Sequence, residues 1–188
     1  MYLESAASAV ILAAAALMHE CGHFIGIKAS GCVVNRVDLE PFGATIAFNA
    51  ADASYKAEML VALSGPLAGI ATAGAGWLCF LYFPSPLLLM FILANLLFSI
   101  INLFPLRTLD GGVALRAFLL TRYELDKAEL VLRLMSLTAA AMLCVLSAML
   151  LQYTGYNISL LALTGFQLAL IFSEMISGGS YKAQKTIA

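Results

Sequence analysis

"SAVILAAAALMHECGHFIG", residues 8–26, begins as a segment suited to lipid and then sets His19, Glu20 and His23 inside it. On a helix of 3.6 residues per turn, His19 and His23 project from one face about 6 Å apart, so two imidazoles can take adjacent corners of a tetrahedral zinc ion. Glu20 is turned about 100° from His19, which can place its carboxylate beside the ion's open position and not on the ion. It is therefore the candidate general base, able to take a proton from water and pass it to a leaving amine. The plainer alternative is that the three residues are polar glue between helices. Against it, an ionisable residue near the middle of a span costs roughly 2.5–3.5 kcal/mol on insertion scales, so such residues tend to face an interior site and act there. Both histidines of the chain are in this motif. Two histidines on one helix face fit haem poorly, because they do not make opposed axial ligands.

The rest of the chain supports a membrane setting. Its 188 residues are 62% hydrophobic, and its mean hydropathy is +0.95, well beyond a soluble domain. Near-uncharged runs long enough to cross a hydrocarbon core lie at about 6–27, 59–83, 86–105, 130–151 and 158–176. The expected fold is thus an all-α polytopic membrane protein of about five transmembrane helices. It forms a single domain over 1–188, with a catalytic core at about 6–120, accessory helices at about 128–177 and a tail at 178–188. "MYLESAAS" has no basic stretch of the kind that opens a secretory signal, so the first run is expected to stay as a membrane helix.

Charge gives an orientation. Lys28, Arg36 and Lys56 fall between the first two runs, Arg107, Arg116, Arg122, Lys127 and Arg133 between the third and fourth or at the start of the fourth, and Lys182 and Lys185 near the end. The opposite loops, "YFPSP" and "QYTGYN", carry no basic residue. Positive residues in short loops are kept in the cytoplasm, so the expected N-terminus is outside and the C-terminus inside a cell membrane, with the histidine pair near the cytoplasmic face. Cys21, Cys32, Cys79 and Cys144 form no CxxC pair, and structural disulfides are not expected. No nucleic-acid signature is present, and the scattered basic residues are accounted for by topology.

A catalytic zinc site usually has three protein ligands and a water, so a third ligand must come from elsewhere. The candidate is Asp110 in "INLFPLRTLDGG", residues 101–112. Pro105 is expected to break the third helix, and Gly111 and Gly112 to permit the sharp backbone that turns a carboxylate inward. Alone, "LDGG" reads as an Asp-Gly turn. Yet His23 lies five residues before Lys28, about 8 Å inside the cytoplasmic edge, and Asp110 also sits at the cytoplasmic end of its run. The two motifs share a depth.

These residues resemble the site-2 protease family of intramembrane zinc metalloproteases, peptidase family M50. "HECGH" is similar to its HExxH, and "NLFPLRTLDGG" to its Asn-x-x-Pro-x-x-x-Leu-Asp-Gly. "VDLEPFGATIAF" (37–48) is similar to its strand ending in Pro-Phe-Gly, and "SGPLAG" (64–69) to its Gly-Pro motif. The short form with "PFG" looks most like the stage IV sporulation protein FB branch, whose members cleave the membrane-tethered pro-form of a sigma factor. The resemblance implies one Zn2+ per chain held by His19, His23 and Asp110, with Glu20 as the general base. It also implies a membrane-tethered protein substrate, and a membrane regulatory partner is a further possibility. Asn102 stands in the motif and is a candidate for substrate or oxyanion contact, with interhelical bonding beside Asn95 as the equal alternative. The sequence shows no extra span before "HECGH" and no CBS domain, and Gly69 stands where many relatives have Asn, so no role is carried onto it.

Residues 33–48 alternate in a way that suggests a short membrane-associated β-hairpin between the first two spans, either pairing with an extended substrate or plugging the cavity. Gly65 and Pro66 are expected to open the second span near the site. Residues 113–127 read as an amphipathic interfacial helix, and Glu174 as a residue that snorkels or pairs with Lys182. Two other functional classes compete: an inactive relative that holds membrane clients, which should have lost Glu20 or a ligand, and a metal-ion transporter, whose polar residues should be spread along a path. Here the set is complete and gathers at one depth.

Overall fold

The apolar run and the histidine pair fold as one uninterrupted helix, α1, Tyr2–Ala29. The computed structural model describes residues 2–31, 34–40, 43–48 and 54–154. After α1, strands β1 (Val34–Glu40) and β2 (Gly43–Phe48) pair antiparallel, with Val37 opposite Ile46 and Glu40 opposite Gly43. Four helices follow: α2 (Tyr55–Tyr82), α3 (Pro86–Asn102), α4 (Asp110–Leu120) and α5 (Leu125–Thr154). The architecture is helical apart from that ladder, and the ladder's register by itself says nothing about a membrane surface.

The expectation of five spans needs correcting. Among the described residues, three helices are long and apolar enough to cross a membrane: Ala6–Ala29, Tyr55–Tyr82 and Leu125–Met149. The third expected span is only the 17 residues of α3, roughly 26 Å at 1.5 Å per residue and short of a core about 30 Å thick. It stops at Asn102 because the chain turns there, the Leu103 N–H bonding back to Ser99 and Ile100 before Pro105 excludes further helix. The fifth expected span, 158–176, Glu174 and the basic tail lie outside the described residues.

Two further boundaries differ. Pro66 does not open α2 but lies inside it, fully buried. The helix starts eleven residues earlier, at Tyr55, where the Ser54 hydroxyl caps the Ala57 N–H. The expected amphipathic helix at 113–127 is divided: α4 ends at Leu120, and α5 begins at Leu125. The break lets Leu119 of α4 turn back onto Ala128 and Leu132 of α5.

The second helix is central, packing against α1, α3 and α4, while α5 packs on α4. Small residues let α1 and α2 approach. A Cβ on Gly22 would strike Ser64 and Ala68, and one on Gly26 would strike the Ser64 side chain, a small-xxx-small interface of the kind that holds helices together in lipid. Large apolar residues such as Leu12, Leu17, Leu78 and Leu97 point outward, as a lipid-facing surface requires.

Candidate metal site

Three elements bring three donor atoms together. On α1, His19 and His23 stand one turn apart with Nε2 atoms 3.1 Å from each other, and both are buried, 3% and 9% exposed. On the first residue of α4, Asp110 places Oδ2 2.9 Å from His19 Nε2 and 3.3 Å from His23 Nε2. Tetrahedral zinc with bonds of roughly 2.0–2.1 Å holds its ligand atoms roughly 3.3 Å apart, so this triangle has the right size.

Proton accounting also favours a cation. His23 Nδ1 lies 2.9 Å from the Val61 carbonyl, a bond in which the ring nitrogen must donate. In the neutral ring this leaves the lone pair on Nε2. His19 Nδ1 is buried without a partner, and Asp110 Oδ2 accepts no hydrogen bond that meets ordinary geometry despite its short approaches. At most one N–H, on His19, can serve the three converging acceptors. A positive ion would satisfy all of them, and two imidazoles with a carboxylate suit zinc. The donors present therefore fit the ion that the spacing suggests.

Glu20 is partly buried on the same helix, and its Oε2 is buried with no hydrogen-bond partner. An orphaned carboxylate oxygen one residue along the helix from His19 suits a group whose partner is a reacting molecule. Asn102 donates through its side-chain Nδ2 to the Phe98 carbonyl on its own helix at 2.9 Å. Asn95 Nδ2 donates likewise to the Phe91 carbonyl, at 2.9 Å.

The glycines after Asp110 act differently from expectation. Neither has positive φ, for among the described glycines only Gly31 does. They supply room: a Cβ on Gly111 would collide with the Leu103 carbonyl, and one on Gly112 with that of Leu106. The connection from α3 folds over the start of α4 closely enough to exclude any side chain there.

Gly65, which the sequence placed near the site only as an opener of the second span, leaves space for both imidazoles, since its Cβ would meet His23 Nε2 and His19 Nε2. Sequence reasoning missed other contributors. Val61 acts through its carbonyl, which no side-chain pattern reveals. The Phe98 ring meets His19 edge to face with centroids 5.0 Å apart. A groove of about 820 Å³ between α1, α2 and α4 reaches Gly26 and Ser64, and carries Lys56 and Arg122 on its wall.

The arrangement of helices is one already seen in a solved structure. The solved structure of the site-2 protease from Methanocaldococcus jannaschii superposes with a TM-score of 0.64 at 22% identity, covering 88% of this chain and 76% of that one. In sequence, the chain is 33% identical over 130 residues to two proteins named as zinc metalloprotease Rip3, from the Erdman and H37Rv strains of Mycobacterium tuberculosis. The aligned part is 65% of this chain and 33% of each relative, so the chain spans about a third of the length of the curated relatives it matches. No protein-family model matches the chain.

Proposed function

We propose that this chain is an intramembrane zinc metalloendopeptidase of the site-2 protease type, cleaving a membrane-associated protein within or near its transmembrane segment. The observation that carries the reading is the convergence of His19 Nε2, His23 Nε2 and Asp110 Oδ2, with Glu20, whose Oε2 is buried without a partner, on the helix of the two histidines. The similarity to proteins named as zinc metalloproteases agrees with it.

His19, His23 and Asp110 hold the ion, and the Val61 carbonyl fixes the His23 ring so that Nε2 faces it. When bound, zinc supplies the Lewis acidity that polarises a peptide carbonyl and makes water acidic enough to lose a proton near neutral pH. Glu20 takes that proton at Oε2 and returns it to the leaving amine. Asn102 has one amide hydrogen committed to Phe98 and a second available for substrate or the developing oxyanion.

A peptide bond within a membrane helix is shielded by its own hydrogen bonds, so the substrate must be extended locally first. Each strand of the β1–β2 ladder has one edge without a partner strand among the described residues, and such an edge can pair with an extended segment. The groove beside Ser64 offers an apolar stretch of substrate a place next to the histidine-bearing helix. A pro-sigma factor as substrate, a cytoplasmic-facing site and a membrane regulatory partner are finer readings. They rest on the "PFG" resemblance and on the distribution of basic residues.

The test is zinc content and cleavage of a membrane-tethered reporter by the purified chain in detergent. Wild type should carry about one zinc and cut. Glu20→Gln should keep zinc and lose cleavage, while Asp110→Ala should lose zinc. Glu20→Gln cutting as well as wild type would overturn the mechanism; zinc retained by all ligand variants would overturn the site.

A further inference from the structure

The fifth helix contributes nothing to the donor triangle, yet two of its polar side chains hold the short connection that delivers the third donor. Glu129 accepts from Arg116 Nε through Oε1 at 2.7 Å, and from Arg107 Nη2 through Oε2. Two turns further along α5, the fully buried Ser136 donates to the Pro105 carbonyl at 2.9 Å. Between these anchors Leu106 packs against Ala139, Ala140 and Leu143. Arg107 precedes Asp110 by three residues and Arg116 follows it by six. One carboxylate therefore ties both flanks of the candidate ligand to α5.

We propose that Glu129 is a positioning residue for Asp110, fixing through Arg107 and Arg116 where the start of α4 presents its carboxylate to the two histidines. The inference rests on reading the His19, His23 and Asp110 cluster as a metal site. Local backbone bonds close the turn but do not fix it to α5. Leu109, the residue before Asp110, caps the helix with no side-chain bond, and the turn's backbone bonds, Leu106 N–H to Phe104, Leu109 N–H to Leu106 and Gly112 N–H to Leu109, all lie within residues 104–112. A ligand atom must sit within about 0.2 Å of its proper distance, so the azimuth of α4 has to be set from outside the turn. An ion pair with both guanidiniums and the carboxylate largely shielded is suited to that: the planar forks impose direction as well as attraction. Partners that orient a ligand at one remove typically change metal affinity by about 10–100-fold when lost.

The experiment uses the full chain in detergent, with zinc affinity measured by competition against a chelator. The variants are Glu129→Gln, Arg107→Met, their double, and His19→Ala as the reference for a broken site. In parallel, amide hydrogen exchange over residues 103–112 is followed in metal-free protein. Each single variant should weaken zinc about tenfold, and the double should weaken it no further, because both remove one linkage. Exchange over 103–112 should rise in each. Should Glu129→Gln fail to fold, Arg107→Met removes the other end of the same pair and reads the same quantity. Unchanged affinity and unchanged exchange in these variants would overturn the proposal, as would a double variant whose losses multiply. If wild type binds zinc no better than His19→Ala, the metal reading fails, and exchange still decides: raised exchange upholds Glu129 as the residue that fixes the Asp110 turn, and unchanged exchange overturns it.

Discussion

Gly65 of α2 and His23 of α1 approach so closely that a Cβ on the glycine would overlap the imidazole at Nε2 and Cε1. The metal-facing edge of the ring is thus in contact with backbone. Gly65→Ala must push the ring, the helix or both, whereas Gly74, on the same helix, has nothing within 4 Å of its Cβ position. The expected outcome is that Gly65→Ala weakens zinc by at least about tenfold, comparable to loss of an orienting partner. Gly74→Ala should leave zinc unchanged and be neutral or slightly stabilising, by up to about 1 kcal/mol. Equal zinc affinity in the two variants, measured by chelator competition, would show that the close approach does not constrain the site.

Shortening the proposed base without removing its charge separates position from chemistry. Glu20→Asp keeps a carboxylate but draws it back by one methylene, and a misplacement of about 1 Å in a reacting group can cost about 100-fold. We expect kcat for a reporter substrate to fall by about that factor, with KM and zinc content near those of wild type. A loss confined to KM would assign Glu20 to binding instead.

The candidate site was legible in the sequence because its chemistry is local. His19 and His23 are one turn apart, and Asp110 lies beside a proline and two glycines that mark a turn. The fold was less legible where nonlocal packing decides. Nothing in residues 113–127 announces that Leu119 folds back onto Ala128 and Leu132, so one amphipathic helix was expected where two elements meet at a break. Apolar composition continues past Asn102 to Pro105, so α3 read as long enough to span while the backbone had already turned. No local pattern marks Glu129, whose partners are 22 and 13 residues away. Paired glycines signalled a sharp turn correctly but for the wrong reason, since they answer to a neighbouring backbone and not to a left-handed conformation.

The same glycines yield a stability prediction. Gly112→Ala would drive a methyl into the Leu106 carbonyl, which is backbone and has no rotamer to escape into. Overpacking of this kind costs about 1–3 kcal/mol. Because the displaced strand of chain carries Asp110, zinc affinity should fall together with thermal stability. A variant that loses stability while retaining full zinc affinity would show that the turn relaxes away from the ligand.

Leu106 offers a test of the scaffold without touching any polar group. It is 1% exposed and sits in a small cluster with Ala139, Ala140 and Leu143 of α5, with Phe104 and Leu109 at its edge. Truncation to alanine leaves a cavity whose alanine lining cannot extend to fill it, and such changes cost about 2–5 kcal/mol. Leu97, on α3, is 58% exposed and should tolerate the same truncation within about 0.5 kcal/mol. Thermal unfolding in one detergent compares the pair directly. If α5 supports the 103–109 connection as described, Leu106→Ala should also raise hydrogen exchange across residues 103–112 while leaving the central part of α2 protected. Exchange raised evenly across α1, α2 and α3 would instead mean that Leu106 supports the bundle as a whole, and that the corner bearing Asp110 has no separate attachment.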